Sequence, residues 1–210
     1  MRTKQVPLII EDEIKTTGTA ATDLTITCGT EKTLVLTTPV WEDLRAPATA
    51  VRLPASGFYN PAETEYKGGL VLAFGDEATN EDEVSIIFQL PHSYKEGTNI
   101  YPHVHWVGED NTAGNVKWGL EYSWANVGVA FPTTTTIYVI DANAATDVHN
   151  MASFTAISGT GKTVSSMLIC RLFRNSSHVD DTFTGKSAYL LEFDIHYQID
   201  TMGSRTETAK

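Results

Sequence analysis

Alternation of apolar and polar positions marks the most regular parts of the chain. Val116, Trp118, Leu120, Tyr122 and Trp124 alternate with Lys117, Gly119, Glu121 and Ser123. Side chains on a strand point to opposite faces in turn, so this spacing predicts a strand with one buried aromatic face. Nearer the C-terminus, Tyr189, Leu191, Phe193, Ile195, Tyr197 and Ile199 form one face of a second such strand; Glu192, Asp194, His196 and Gln198 lie on the other with Leu190. Further β-compatible runs lie at Leu24 to Cys28, Thr33 to Thr37, Gly69 to Phe74, Val84 to Leu90, Tyr101 to Val107, Thr135 to Ile140, and Val164 to Phe173. Turn formers fill the gaps between them, including Gly75-Asp76, Pro91, Glu96-Gly97 and the segment from Asn175 to Asp181. About eight or nine strands result. No stretch keeps a 3.6-residue period beyond a few turns, although Trp41 to Arg45 allows a short helical turn.

Many short strands with turns between them and no intervening helices predict an all-β fold, an antiparallel jelly-roll-like β-sandwich. Residues 1–30, rich in Thr and acids, read as an N-terminal extended arm or extra edge strands. Residues 31–200 carry the jelly-roll-like domain, and 201–210 form a polar C-terminal tail. A chain of 210 residues suits one core of this kind.

Composition narrows the range of partners. A hydrophobic content of 41% fills such a core, but nowhere does it gather into the roughly 18 consecutive apolar residues of a membrane helix. The apolar stretch after Met1 is too short for a signal peptide, so synthesis in a cytoplasm is the expectation. A net charge of -11 opposes attraction to nucleic acid or to anionic lipid, and neither is expected as a partner. Cys28 and Cys170 stand far apart in apolar runs and are expected as free thiols rather than a disulfide.

The histidines are the most informative chemical feature. His92, His103 and His105 fall close together, and the last two, spaced by one residue on a predicted strand, share a face. Paired imidazoles suit a divalent metal, so His103, His105 and Glu109 form a candidate metal set, within the chain or at a subunit interface. The alternative is a half-buried polar face with satisfied rings, and His92 and Trp106 are candidate contact residues beside it. The spacing of Gly97, His103, His105 and Glu109 also resembles the first half of the metal motif in cupins, and that resemblance implies a metal-binding jelly-roll barrel. The closing glycine comes early, at Gly114, and no later His has the P-x-G-x2-H setting.

Other chemistry is weaker. Ala156 to Thr163 matches a phosphate-binding loop except at its first glycine, yet β-compatible residues follow it instead of a helix, so a turn is expected there. Glu63 and Glu65, and the acids from Glu81 to Glu83, read as solvated loops rather than a catalytic pair. No serine or cysteine nucleophile is evident, and the chain is expected to be neither an enzyme nor dependent on a cofactor. Trp106, Trp118, Trp124 and Tyr122 read as core, with a sugar-binding aromatic row as the alternative.

Val40 to Arg45, Gln89 to Thr98, and Pro102 to Trp106 together resemble the small β-rich virion structural proteins of tailed bacteriophages. The resemblance implies a trimeric capsid cement or decoration protein, or a collar or fibre component. Such a protein would associate with itself and with the major capsid protein, be made in the host cytoplasm and reside in the virion. A carbohydrate- or receptor-binding module of a tail or fibre is the alternative, and a cupin-like metal-binding protein the second.

Overall fold

The computed structural model describes residues 35–54, 59–77, 81–207 and 209–210. Among them the regular elements are ten strands: β1 (Val35–Pro47), β2 (Ala62–Tyr66), β3 (Gly69–Phe74), β4 (Glu83–Gln89), β5 (Tyr101–Gly108), β6 (Asn115–Ala125), β7 (Thr135–Ala142), β8 (Asn150–Ser153), β9 (Met167–Arg174) and β10 (Ala188–Thr201). They form two antiparallel sheets, one in the order β2-β3-β10-β5-β8 with β1 also on β10, the other in the order β4-β9-β6-β7. The protein is therefore all-β, and the two sheets share one apolar core. No helix of the described residues is long and apolar enough to cross a membrane.

The alternating segments become strands for the reason their pattern gives. On β6 the side chains of Val116, Trp118 and Leu120 are fully buried, and on the neighbouring β9 so are Leu168 and Leu172. Trp118 meets Phe74 edge-on with ring centres 5.1 Å apart, and Trp106 lies beside it at 6.3 Å. Gly119, outward on β6, leaves room for the Phe173 ring, which an added Cβ would approach to 2.2 Å. Trp106 is wholly inside, its indole N–H donating to Asp141 Oδ2 at 2.8 Å, so it is core and not a contact residue.

Three local expectations change. Trp41 to Arg45 belongs to the long strand β1, paired residue by residue with β10, and is not a helical turn. Glu63 and Glu65 lie on β2, a short edge strand whose polar side chains suit an edge. The run from Val164 starts with a turn, and its strand begins only at Met167. The expected arm over residues 1–30, the run from Leu24 to Cys28, and Cys28 itself lie outside the described residues. Cys170 is a free buried thiol, and burial raises its pKa well above the usual thiol range. In the tail, the Lys210 ammonium donates to the Ser93 carbonyl at 3.2 Å and to that of Tyr94 at 2.5 Å.

The strand that positions the site is β10. One of its edges carries β5; the other carries β3 at 188–190 and then β1 from 192 onward. Against β5, Leu190 faces Trp106 and Glu192 faces His105, so Leu191 is an extra residue, a β-bulge. Strict alternation would place Leu191 and Phe193 on one face, with Leu190 opposite. The bulge reverses the parity instead: Leu190 and Phe193 are both fully buried, while Asp194 and His196 turn to the outer face of the sheet.

Candidate functional site

Strand register assembles a polar cluster on that outer face. His103 on β5 stands opposite Asp194 on β10, which stands opposite Arg45 on β1. In the next row Tyr101 stands opposite His196, which stands opposite Asp43. His105 stands opposite Glu192 in the row on the other side. Three strands thus bring residues far apart in sequence within side-chain reach.

Asp194 is the centre of the cluster. Its Oδ1 lies 3.4 Å from His103 Nδ1, and its Oδ2 lies 3.3 Å from His105 Nε2 and 3.1 Å from His196 Nε2. The His103 and His196 rings are 4.1 Å apart, and Asp43 Oδ1 is 3.3 Å from His196 Nε2. Asp194 is only 3% exposed and His103 8%. Burial acts to raise the Asp194 carboxyl, but the imidazoles of His103, His105 and His196 outweigh it and hold the pKa below the ordinary carboxylate range. The His105 pKa is raised, chiefly by its contact with the Asp194 carboxylate, with burial opposing. His105 Nδ1 also lies 2.7 Å from His149 Nε2, so one of the two rings donates and the other accepts.

The surroundings are open and aromatic on one side. A concavity of about 350 Å³ is lined by Trp41, Tyr101, His103 and His196, and a second of about 370 Å³ by residues including Asp43, Arg45, His105, His149 and His196. Trp41 meets Tyr101 edge-on at 5.3 Å and is 54% exposed. Arg45 grips Glu192 with two hydrogen bonds, Nε to Oε1 at 2.6 Å and Nη2 to Oε2 at 2.7 Å. Large exposed aromatic surface beside buried charge is the unusual combination here, because single exposed apolar residues are common.

The sequence expectations map onto this face unevenly. His103 and His105 share it, as their spacing requires. Glu109 does not join them: its Oε2 accepts from the Ser187 N–H at 2.9 Å, and the Lys186 ammonium is 3.7 Å from its Oε1. The candidate metal set of His103, His105 and Glu109 is therefore not brought together. His92 stands elsewhere, with Nε2 3.0 Å from Ser165 Oγ and Nδ1 at Ser204 Oγ. Trp106, Trp118 and Trp124 are buried, so the aromatic row that sequence offered for a sugar lies in the core. The residues that sequence reasoning missed are Asp43, Asp194, His196 and Trp41. Asp194 and His196 already stood on the polar face of a predicted strand, the one signal that pointed to them, but nothing in the chain gave their partners.

The loop that resembles a phosphate cradle has other duties. Its Lys162 ammonium donates to the Trp124 carbonyl at 2.6 Å and lies 5.4 Å from the Trp124 ring. An added Cβ at Gly159 would come within 1.7 Å of the Thr98 carbonyl oxygen, so the loop packs against its neighbour with no cradle between them. Lys162→Ala is expected to lower stability by about 1 kcal/mol, the value of one such hydrogen bond. Calorimetric titration of the unmodified protein with ATP is expected to show no binding, and a signal that disappears with Lys162→Ala would refute the turn assignment.

No protein-family model matches the chain, and no curated protein matches it. Solved structures with a partial likeness include the CBM36-1 domain of a multidomain xylanase from the hindgut metagenome of Trinervitermes trinervoides. It has 10% sequence identity and a TM-score of 0.39, over 73% of this chain and 96% of that one. TmCBM61 in complex with β-1,4-galactotriose is 14% identical with a TM-score of 0.34, over 74% of this chain and 86% of that one. Dimeric latent PorU from Porphyromonas gingivalis is 14% identical with a TM-score of 0.35, over 83% of this chain but 14% of that one.

Proposed function

We propose that this protein is a carbohydrate-binding module whose glycan lies across the outer face of the six-stranded sheet. The observation that carries the reading is Trp41, a half-exposed indole set edge-on to Tyr101 at the rim of a polar cluster. A pyranose ring has an apolar face for an aromatic platform and a rim of hydroxyls for nearby donors and acceptors. Asp43, His196 and the Arg45–Glu192 pair supply such groups beside Trp41 and Tyr101. The two concavities adjoin at His196, which suits a segment of a chain rather than one sugar end.

The test is retention of the purified full chain on a panel of immobilised oligosaccharides, followed by titration with the best one. Trp41→Ala is expected to weaken binding about tenfold or more while leaving the melting temperature near its original value, since the side chain is half exposed. Absence of any retained glycan, or equal binding by the variant, refutes the reading.

A second reading, the trimeric virion decoration protein, is favoured by the outer face of the other sheet. Ile87 and Ile169 are cross-strand neighbours there, 61% and 42% exposed, with Tyr138 and Ile140 also exposed on β7. Apolar surface of this kind suits a contact with another copy of the chain. Sedimentation at micromolar concentration separates the readings: a trimer that Ile87→Glu dissociates supports the second, and a monomer removes it.

A further inference from the structure

We propose that His103, Asp194 and His196 form a binding site for a first-row divalent transition metal ion, zinc being the ion that fits best. One ligand atom from each of these residues lies within 4.8 Å of the others. Contacts between the donors run at 3.1 Å for His196 Nε2 to Asp194 Oδ2 and 3.4 Å for His103 Nδ1 to Asp194 Oδ1. Zinc bonds of about 2.0–2.1 Å in tetrahedral geometry set neighbouring donor atoms about 3.3 Å apart. Each imidazole nitrogen therefore stands at about that separation from one oxygen of Asp194, the two oxygens serving one ring each, and a ligand atom from each residue lies within 4.8 Å of the others.

Polar satisfaction points the same way. His103 Nδ1 and Asp194 Oδ1 are both buried, and neither has a hydrogen-bond partner, although they lie 3.4 Å apart. Buried polar atoms are nearly always paired, and two orphans side by side across a strand pair, close enough for a hydrogen bond but not aligned for one, are what a shared ligand would resolve. Two imidazoles and one carboxylate suit zinc, and also cobalt or nickel, whereas calcium and magnesium prefer all-oxygen sets. Three protein ligands leave a position open, and Asp43, 3.3 Å from His196 Nε2, is placed to occupy it or to orient what does. The cluster lies where the Trp41 concavity meets the Arg45 concavity, so an open metal position would face a bound ligand. The site does not depend on the glycan reading and is tested without any sugar.

The full chain, stripped with EDTA and dialysed, is titrated with zinc chloride by calorimetry and with cobalt chloride by visible absorption. Expected are one zinc ion per chain and the intense cobalt bands of a tetrahedral or five-coordinate site. His196→Gln, at a side chain still 32% exposed, should fold normally by circular dichroism and weaken zinc at least about tenfold. Asp194→Asn should do the same, and Glu109→Gln should leave zinc affinity unchanged. No zinc uptake by the unmodified chain, or uptake untouched by His196→Gln, overturns the site. Loss of uptake in Glu109→Gln overturns the ligand set. Repeating the oligosaccharide titration with and without EDTA keeps the two readings apart, because glycan binding that fails while zinc still binds bears only on the former.

Discussion

Asp181→Asn is expected to destabilise the protein by about 3–5 kcal/mol, because it leaves the buried Arg174 guanidinium without its counter-charge. Arg174 and Asp181 have no exposed side-chain area. Their pairing is bidentate, Nε to Oδ2 at 3.0 Å and Nη2 to Oδ1 at 2.7 Å. The remaining donors of Arg174 reach three backbone carbonyls, those of Phe74, Lys186 and Phe183, at 3.1, 2.6 and 2.9 Å. Asp181 also accepts from the Lys117 N–H at 3.0 Å. One guanidinium thus ties β3, β9 and the loop before β10 together at the sheet end, and desolvation of its charge is tolerable only because these acceptors surround it. With a urea slope of about 1–3 kcal/mol per molar, the unfolding midpoint should fall by at least about 1 M. The double change Asp181→Leu with Arg174→Met removes both charges and should recover part of the loss. Full recovery is not expected, since three carbonyls and one N–H lose their partner. A single variant within 1 kcal/mol of the unmodified protein would show that water reaches the pair.

Trp118→Ala is the second large effect, again about 3–5 kcal/mol, through the cavity left between the sheets. The indole has no exposed area and packs against Phe74 and Trp106. For a chain of this size the melting temperature should fall by about 6–20 °C. Trp118→Phe should restore most of this, for a reason specific to the site: the Trp118 indole N–H is buried without a partner, so phenylalanine also removes an unsatisfied donor. Scanning calorimetry on the two variants distinguishes packing from polarity. Equal losses in both would mean that the N–H is satisfied, and a near-native melting temperature for Trp118→Ala would place the ring outside the core.

Periodicity was a sound guide wherever a strand has one dry face and one wet face. Glu83–Gln89 and Thr135–Ala142 are legible because burial there alternates along the strand and leaves a period of two. It failed where that condition fails. In β1 the strand is recognisable only through its partner β10, for Trp41, Asp43 and Arg45 face outward together and mimic a polar turn. In β8 four residues are too few to show a pattern. Arg174 falls between the run that ends at Phe173 and the turn formers that start at Asn175, a place where a charged residue is normally exposed, and only its ring of acceptors makes its burial possible.

The chain by itself determined the all-β class, the aromatic core strand and the shared face of His103 and His105, since these follow from local alternation and turn chemistry. Tertiary structure alone decided which acid those histidines meet. A local guess chose Glu109, four residues on, whereas cross-strand pairing delivers Asp194 from the far end of the sequence. It also decided, through the bulge at Leu191, that Leu190 is buried on the same face as Phe193, and which tryptophan remains in the open. Register and bulges arise from the packing of whole sheets, and a one-residue shift exchanges every buried side chain on a strand for an exposed one.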